Sequence, residues 1–187
     1  MKFKPTRIPE VFLIEPQVFR DERGYFLETY HLERYREGGL PEAFVQDNHS
    51  FSTARVLRGL HAQLHRPQGK LVRAVQGEIF DVAVDIRPDS PSFGQWAGEH
   101  LTGDNFRQLY IPPGFAHGFC VLSETAHVTY KCTDFYDPKD EITVVWNDPD
   151  IGIRWPIDDY PILNIKDRDA PRLADIVQRL TDQKSGR

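Results

Sequence analysis

The chain reads as an all-β fold, a β-sandwich or barrel, and three observations predict it. Short runs of alternating apolar and polar residues recur along the length. Clusters of Gly, Pro, Asn and Asp separate them. A sustained helical period occurs only near the end, where Leu173, Ile176, Val177 and Leu180 stand at i, i+3, i+4 and i+7. Many short strands with one late helix point to two packed sheets or a closed one.

Residues 8–19 alternate weakly and are expected to form the first strand, with Pro9 and Pro16 at its limits or on an edge. Asp21 to Gly24 is turn chemistry, and 25–30 returns to strand. Residues 31–38 suit one short helix ending at Gly38-Gly39. Residues 44–52 are polar for a strand, so Gln46, Asp47 and Asn48 form either a solvent-facing edge or the hydrogen-bonding wall of a pocket. Residues 57–77, LRGLHAQLHRPQGKLVRAVQG, read as a hairpin broken at Arg66-Pro67-Gln68-Gly69. Residues 78–86 carry the clearest period of two, with Phe80, Val82, Val84 and Ile86 on one face and Asp81, Ala83 and Asp85 on the other. Strands at 95–101, 108–111, 115–122, 126–133 and 141–146 continue the series, and 147–156 is irregular. The helix is expected over 172–180, and the polar tail after Asp182 is expected to fray. Without an internal repeat or low-complexity linker, residues 1–187 are expected to form a single domain.

The totals exclude several classes. A chain of 187 residues with 40% hydrophobic and 27% charged content can bury a full core. A net charge of −5 argues against nucleic acid or an acidic membrane surface as partner. No apolar stretch is long enough for a transmembrane helix, and the start lacks an apolar signal core. Two cysteines, Cys120 and Cys132, sit in apolar runs and are expected as buried free thiols. The cytoplasm is the default location.

The polar content of the 57–77 hairpin is unusual. His61, Gln63 and His65 stand two apart and should share one strand face, opposite Leu60, Ala62 and Leu64. Lys70 opens the returning strand. Two imidazoles, an amide and an ammonium on one small sheet are expensive to bury without a function.

The segment Ile111 to Phe119, IPPGFAHGF, resembles the second motif of the cupin jelly rolls, a Pro-x-Gly followed by His. The 57–77 segment falls where the first cupin motif stands. Against the His-x-His and Glu of metal-binding cupins, Gln63 occupies the first His position, His65 matches the second, and Lys70 replaces the Glu. Only His65 and His117 remain of that ligand set, and a cation stands in the carboxylate position, so no metal is expected. Six segments in order, FRDERGYFLETY, VQDNHSFS, LRGLHAQ, QGKLVRAVQGEIFDVAVDIR, PPGFAHGF and LNIKDRD, resemble one cupin branch, the dTDP-4-dehydrorhamnose 3,5-epimerases. The likeness runs from about Phe19 to Leu173. It implies a homodimeric cupin-type jelly-roll β-sandwich with a few short peripheral helices. It also implies a cofactor-free isomerase that inverts carbons 3 and 5 of dTDP-4-dehydro-6-deoxy-D-glucose on the way to dTDP-L-rhamnose.

That reaction needs a base near neutrality, a positive group at the developing enolate oxygen, and an acid on the opposite sugar face. The resemblance assigns His61 as the base with Asp167 as its partner, which would hold the imidazole in one tautomer. Lys70 is the candidate enolate stabiliser. Tyr130 is the candidate acid: it shares parity with Val128 and Cys132, which turns His127 to solvent or an interface. For substrate binding the resemblance implies Arg23, Glu28, Gln46, Asp47, Asn48, Arg58, His117, Glu141 and Lys166, with Tyr136 stacking on the base. Arg58 lies three positions from His61, out of phase with it, and Gly59 could mark a bulge that re-aims it. The Arg23 to Glu28 stretch is where a contribution from the second subunit is expected. Rival readings are an epimerase acting at one carbon, a ketoisomerase on a related sugar, a non-catalytic sugar-nucleotide-binding cupin, and a metal-dependent cupin.

Overall fold

The computed structural model describes residues 1–40 and 43–185. In chain order the elements are β1 (Lys2–Pro5), β2 (Phe12–Glu15), β3 (Val18–Asp21), β4 (Gly24–Leu27), α1 (Leu32–Glu37), β5 (Gln46–Thr53), β6 (Leu57–Gln63), β7 (Lys70–Gln76), β8 (Glu78–Asp85), β9 (Trp96–Thr102), β10 (Gln108–Ile111), β11 (Phe115–Val121), β12 (Thr125–Cys132), β13 (Glu141–Thr143), α2 (Ile165–Arg168) and α3 (Leu173–Ser185). One sheet has six strands in the order β1-β2-β10-β7-β12-β5. The other has five, β13-β6-β11-β8-β9, and β3-β4 form a separate ribbon. Pairing within both sheets is antiparallel. From β5 to β13 the chain changes sheet at every step except between β8 and β9, which pair with each other, and this makes a jelly-roll sandwich of the cupin type.

This topology corrects the expected 57–77 hairpin. β6 and β7 do not pair; they belong to different sheets. The turn residues at 64–69 carry the chain across the sandwich, and Asp140 holds that crossing by accepting from the backbone N–H groups of His65 and Arg66 at 2.8 Å each. Turn chemistry is common to both kinds of connection, so the sequence pattern could not separate them. The single strand expected over 8–19 is two, β2 and β3, interrupted around Pro16, which has no N–H for the ladder. The strand expected to reach residue 30 stops at Leu27, and β13 stops at Thr143. β1 and the one-turn α2 were not anticipated. The tail expected to fray after Asp182 stays helical to Ser185. Residues 41–42 and 186–187 of the proposed 1–187 domain lie outside the described residues.

Three apolar layers follow from the period-two pattern. Val72, Ala83, Leu109, Phe119 and Val128 fill the space between the sheets. Phe80, Val82, Val84 and Ile86, the alternate set of β8, lie on the outer face of the five-stranded sheet, where Leu173, Ile176 and Leu180 of α3 cover them. Ile14, Leu71 and Tyr110 pack on the outer face of the six-stranded sheet against Tyr35 of α1. Both cysteines are buried and free. Among the described residues, no helix is long and apolar enough to cross a membrane.

Candidate active site

At one end the sandwich opens into a pocket of about 340 Å³ between the two sheets. Strand register builds its walls. On the six-stranded sheet, Gln46, Cys132 and Lys70 lie in one row and Asn48, Tyr130 and Val72 in the next. On the five-stranded sheet, His61 pairs directly with His117. Because paired residues share a face, each row turns its polar side chains inward together. Lys70 thus reaches His61 from the opposite sheet, with Nζ 3.4 Å from the His61 carbonyl oxygen.

His61 Nε2 donates to Asp167 Oδ1 at 2.7 Å. Asn164 caps α2 by accepting from the Asp167 N–H at 2.7 Å, which fixes where the carboxylate points. Burial pushes the Asp167 carboxyl up, but the His61 hydrogen bond and charge, the Gly59 N–H and Lys166 outweigh it and hold it below its ordinary value. An ionised carboxylate only accepts, so Nε2 carries the proton and Nδ1 is the basic nitrogen of His61.

Asp167 Oδ2 accepts the Gly59 N–H at 3.2 Å. Gly59 has φ +126°, and a Cβ there would stand 2.5 Å from the Gly118 Cα. Between Arg58 and His61 the register slips by one residue against Phe119 and His117, a β-bulge. The bulge lets both Arg58 and His61 line the pocket although they are three positions apart.

Lys70 is only 8% exposed. Its burial lowers the pKa of the ammonium, with Cys132, Asp81 and Glu141 opposing. His117 Nε2 donates to the buried Asp81 Oδ1 at 2.7 Å. Burial holds the imidazole below its ordinary value against the pull of Asp81, so His117 is neutral and offers Nδ1 as an acceptor. Burial, and then Cys132, raises the Tyr130 pKa and keeps its phenol protonated.

At the rim, Glu141 receives Lys166 Nζ at 2.7 Å and the Tyr136 hydroxyl at 2.8 Å. The bond to Glu141, and then burial, pushes the Tyr136 phenol up to about 12. Gln46 Oε1 accepts the Tyr136 N–H at 2.9 Å, and Gln46 Nε2 donates to Asn48 at 3.0 Å.

Of the residues expected here, His61, Asp167, Lys70, Tyr130, Gln46, Asn48, Arg58, His117, Tyr136 and Glu141 line this one pocket, and Lys166 joins it through Glu141. Asp47 does not. The period of β5 turns it to the outer face of the sheet, where it pairs with Lys131 at 2.8 Å. Arg23 lies at the exposed tip of the β3-β4 ribbon against Asp21, and Glu28 pairs with Arg34; neither lines the pocket of its own chain. His65, expected on the face of His61 and Gln63, leaves that face because β6 ends at Gln63. Its side chain is 70% exposed and bonds Asp140 at 2.7 Å.

The cupin ligand positions do not fit a metal. Gln63 spends its amide on loop backbone, His65 points out, Lys70 brings a positive charge and His117 Nε2 is on Asp81. Among the described residues no group of three or more His, Cys, Asp or Glu side chains is placed to hold one.

Sequence reasoning passed over Asp81 and Ser50. Asp81 is buried beneath His117 with Oδ2 unpartnered, and the Ser50 hydroxyl is an unpartnered donor lining the pocket. Buried unpaired polar atoms are few in folded proteins, and each calls for an explanation. The alternation of β8 gave no signal for Asp81, because it put Asp81 with Asp85 on the polar parity, and only the packing of α3 on the apolar parity shows that the Asp81 face lies between the sheets.

The family profile of the dTDP-4-dehydrorhamnose 3,5-epimerases matches residues 5–175. The dTDP-4-dehydrorhamnose 3,5-epimerase of Pseudomonas aeruginosa is 56% identical over 176 residues, 94% of this chain and 97% of that protein. The crystal structure of the dTDP-6-deoxy-D-glucose-3,5-epimerase from Legionella pneumophila, in complex with dTDP-4-keto-L-rhamnose, superposes with a TM-score of 0.93 at 49% identity, covering 96% of each chain. A dTDP-4-dehydrorhamnose 3-epimerase of Streptomyces niveus is 39% identical over 177 residues, 94% of this chain and 85% of that protein.

Proposed function

The chain belongs to the dTDP-4-dehydrorhamnose 3,5-epimerase family, and on that footing we propose that it inverts carbons 3 and 5 of dTDP-4-dehydro-6-deoxy-D-glucose in dTDP-L-rhamnose formation. The ketone at carbon 4 acidifies the hydrogens on both neighbouring carbons. In a gluco-configured chair the axial hydrogens alternate sides, so those on carbons 3 and 5 leave from the same face. One base therefore serves both carbons, and one acid on the other face returns both protons.

The observation that carries this reading is the His61–Asp167 pair at 2.7 Å with the Lys70 ammonium brought beside it from the opposite sheet. Nδ1 of His61 takes the proton, and the Asp167 charge stabilises the imidazolium. Lys70 faces the oxygen of the enolate, and Tyr130 donates from the far side. His117 accepts from a sugar hydroxyl. Arg58, Glu141 and Lys166 hold the nucleotide, with Tyr136 against the base.

Arg23 and Glu28 lie away from their own pocket on a ribbon whose Phe19 and Phe26 are 54% and 70% exposed. This supports a homodimer in which each subunit lends that ribbon to the other. The reading places the enzyme in the cytoplasm, where its substrate class is made, and it works without a cofactor.

Incubation with dTDP-4-dehydro-6-deoxy-D-glucose in deuterated water, followed by NMR, tests the reading. Deuterium entering at carbons 3 and 5, with His61→Ala silent yet still binding dTDP, is the expected result. Exchange at one carbon would move the enzyme to the single-carbon epimerases, a type represented by the 39%-identical Streptomyces relative. Exchange at neither would refute the proposal.

A further inference from the structure

We propose that Gln63 is a positioning residue: its carboxamide anchors the loop that carries Tyr136 and so sets nucleotide affinity without entering the proton transfer. This rests on the function proposed above.

The amide of Gln63 is buried and fully committed. Nε2 donates to the carbonyl oxygens of Arg66 at 2.8 Å and Phe135 at 3.2 Å, and Oε1 accepts the Asp137 N–H at 2.6 Å. Both donors and the acceptor therefore go to backbone on either side of Tyr136 and to the crossing loop beside it.

Packing does little to hold this loop. The side chains of Phe135 and Tyr136 are 56% and 51% exposed, and neither belongs to an apolar cluster of the core. Polar contacts tie residues 134–140 down: Gln63, Gln46 on the Tyr136 N–H at 2.9 Å, Glu141 on the Tyr136 hydroxyl at 2.8 Å, the Gln68 amide on the Asp134 carbonyl oxygen at 2.7 Å, the Arg66–Asp134 ion pair, and Asp140 under the N–H groups of His65 and Arg66. Gln63 is the central tie, because its side chain bonds the backbone on both sides of Tyr136, at Phe135 and Asp137. It also stands two residues from His61 on the same strand, so the wall that meets the base of the nucleotide is braced from the strand that carries the catalytic base. The first ligand position of the metal-binding cupins has thus become a loop anchor in this chain.

A contact with the nucleotide base is made equally in ground state and transition state. Loosening it raises KM and leaves kcat in place. Gln63→Met keeps the volume and removes all three bonds. The dTDP dissociation constant, read by calorimetry, is expected to rise by about tenfold or more, the net loss of one to two hydrogen bonds. KM is expected to follow it, with kcat within about threefold of wild type. In the double variant with Tyr136→Ala the two losses should not add, since Gln63 acts through Tyr136. Gln68→Met, which cuts a single tie of the same loop, should move the dissociation constant in the same direction and by less; it carries the test if Gln63→Met does not fold. An unchanged dTDP affinity, additive losses, or a fall in kcat equal to that in kcat/KM would overturn the proposal while leaving the epimerase reading intact. Failure of the wild-type protein to bind dTDP would overturn both.

Discussion

Asp167→Asn isolates a single charge. The carboxylate is buried, 2.7 Å from His61 Nε2 and 3.2 Å from the Gly59 nitrogen, on a helical turn that Asn164 caps. Asparagine fills the same volume but has one oxygen for the two donors: turned to His61, it sets its NH2 against the Gly59 N–H. What disappears is the attraction felt by His61 once it has taken a proton. With charge centres about 4 Å apart and an effective dielectric of about 20, that attraction is worth about 4 kcal/mol. A neutral hydrogen bond returns about 1 kcal/mol of it. The difference, about 3 kcal/mol, corresponds to a rate loss on the order of a hundredfold. With the oxygen on Gly59 instead, the NH2 would face His61 and force the ring proton onto Nδ1, the nitrogen that must be free, and the loss would be larger. The expected result is therefore a fall in kcat of roughly 10²- to 10³-fold with little change in KM. The initial rate of deuterium entry at carbons 3 and 5 measures it, with a thermal melt to establish that the fold is intact. A loss below about tenfold in a folded variant would refute the role given to the Asp167 charge.

Three other outcomes follow from the same geometry. Lys70→Met should cut kcat by roughly 10²- to 10³-fold, since the enolate charge exists only near the transition state, while the loss of a buried ammonium should raise the melting midpoint by a few degrees, on the order of 1 kcal/mol; steady-state kinetics and calorimetry test the pair of effects. Gly59→Ala should lower the melting midpoint by roughly 10 °C, about 3 kcal/mol, because its Cβ would meet the Gly118 Cα at 2.5 Å and the His117 carbonyl oxygen at 2.7 Å in a left-handed backbone; a melt within about 2 °C of wild type would contradict the close approach. Asp85 titrates below its ordinary value: burial opposes, but the bonds from Arg87, Ser90 and Ser92 outweigh it, so its stabilisation is present at neutral pH and is lost as pH falls through the depressed folded-state value. Asp85→Asn should therefore melt below wild type at neutral pH, and the gap should close as pH drops from about 5 toward about 2; a constant gap would refute the linkage.

The local pattern of the chain determined much on its own. Alternation along residues 78–86 specified which side chains share a face, and the four-residue apolar spacing at Leu173 to Leu180 specified the covering helix. His61, Lys70, Tyr130 and Asp167 were legible as candidates through the motifs that hold them. The parity of Tyr130 with Val128 and Cys132 gave its inward direction correctly. Gly59 announced the bulge that lets Arg58 and His61 share a pocket. Tertiary structure decided the rest. Lys70 follows His61 after a turn-like break, yet it enters the pocket from the opposite sheet, because a crossing and a hairpin use the same turn residues. Asp47 and Asn48 are neighbours in one motif, yet the strand register sends only Asn48 into the pocket. Asp81 gained meaning only when β8 and β11 set it under His117, and Gln63 only when residues 135–137 folded over it. The physical reason is common to all four. Periodicity is a property of consecutive residues and assigns faces; which strands become neighbours is settled by burial and pairing between segments far apart in the chain, and that information is distributed over the whole core.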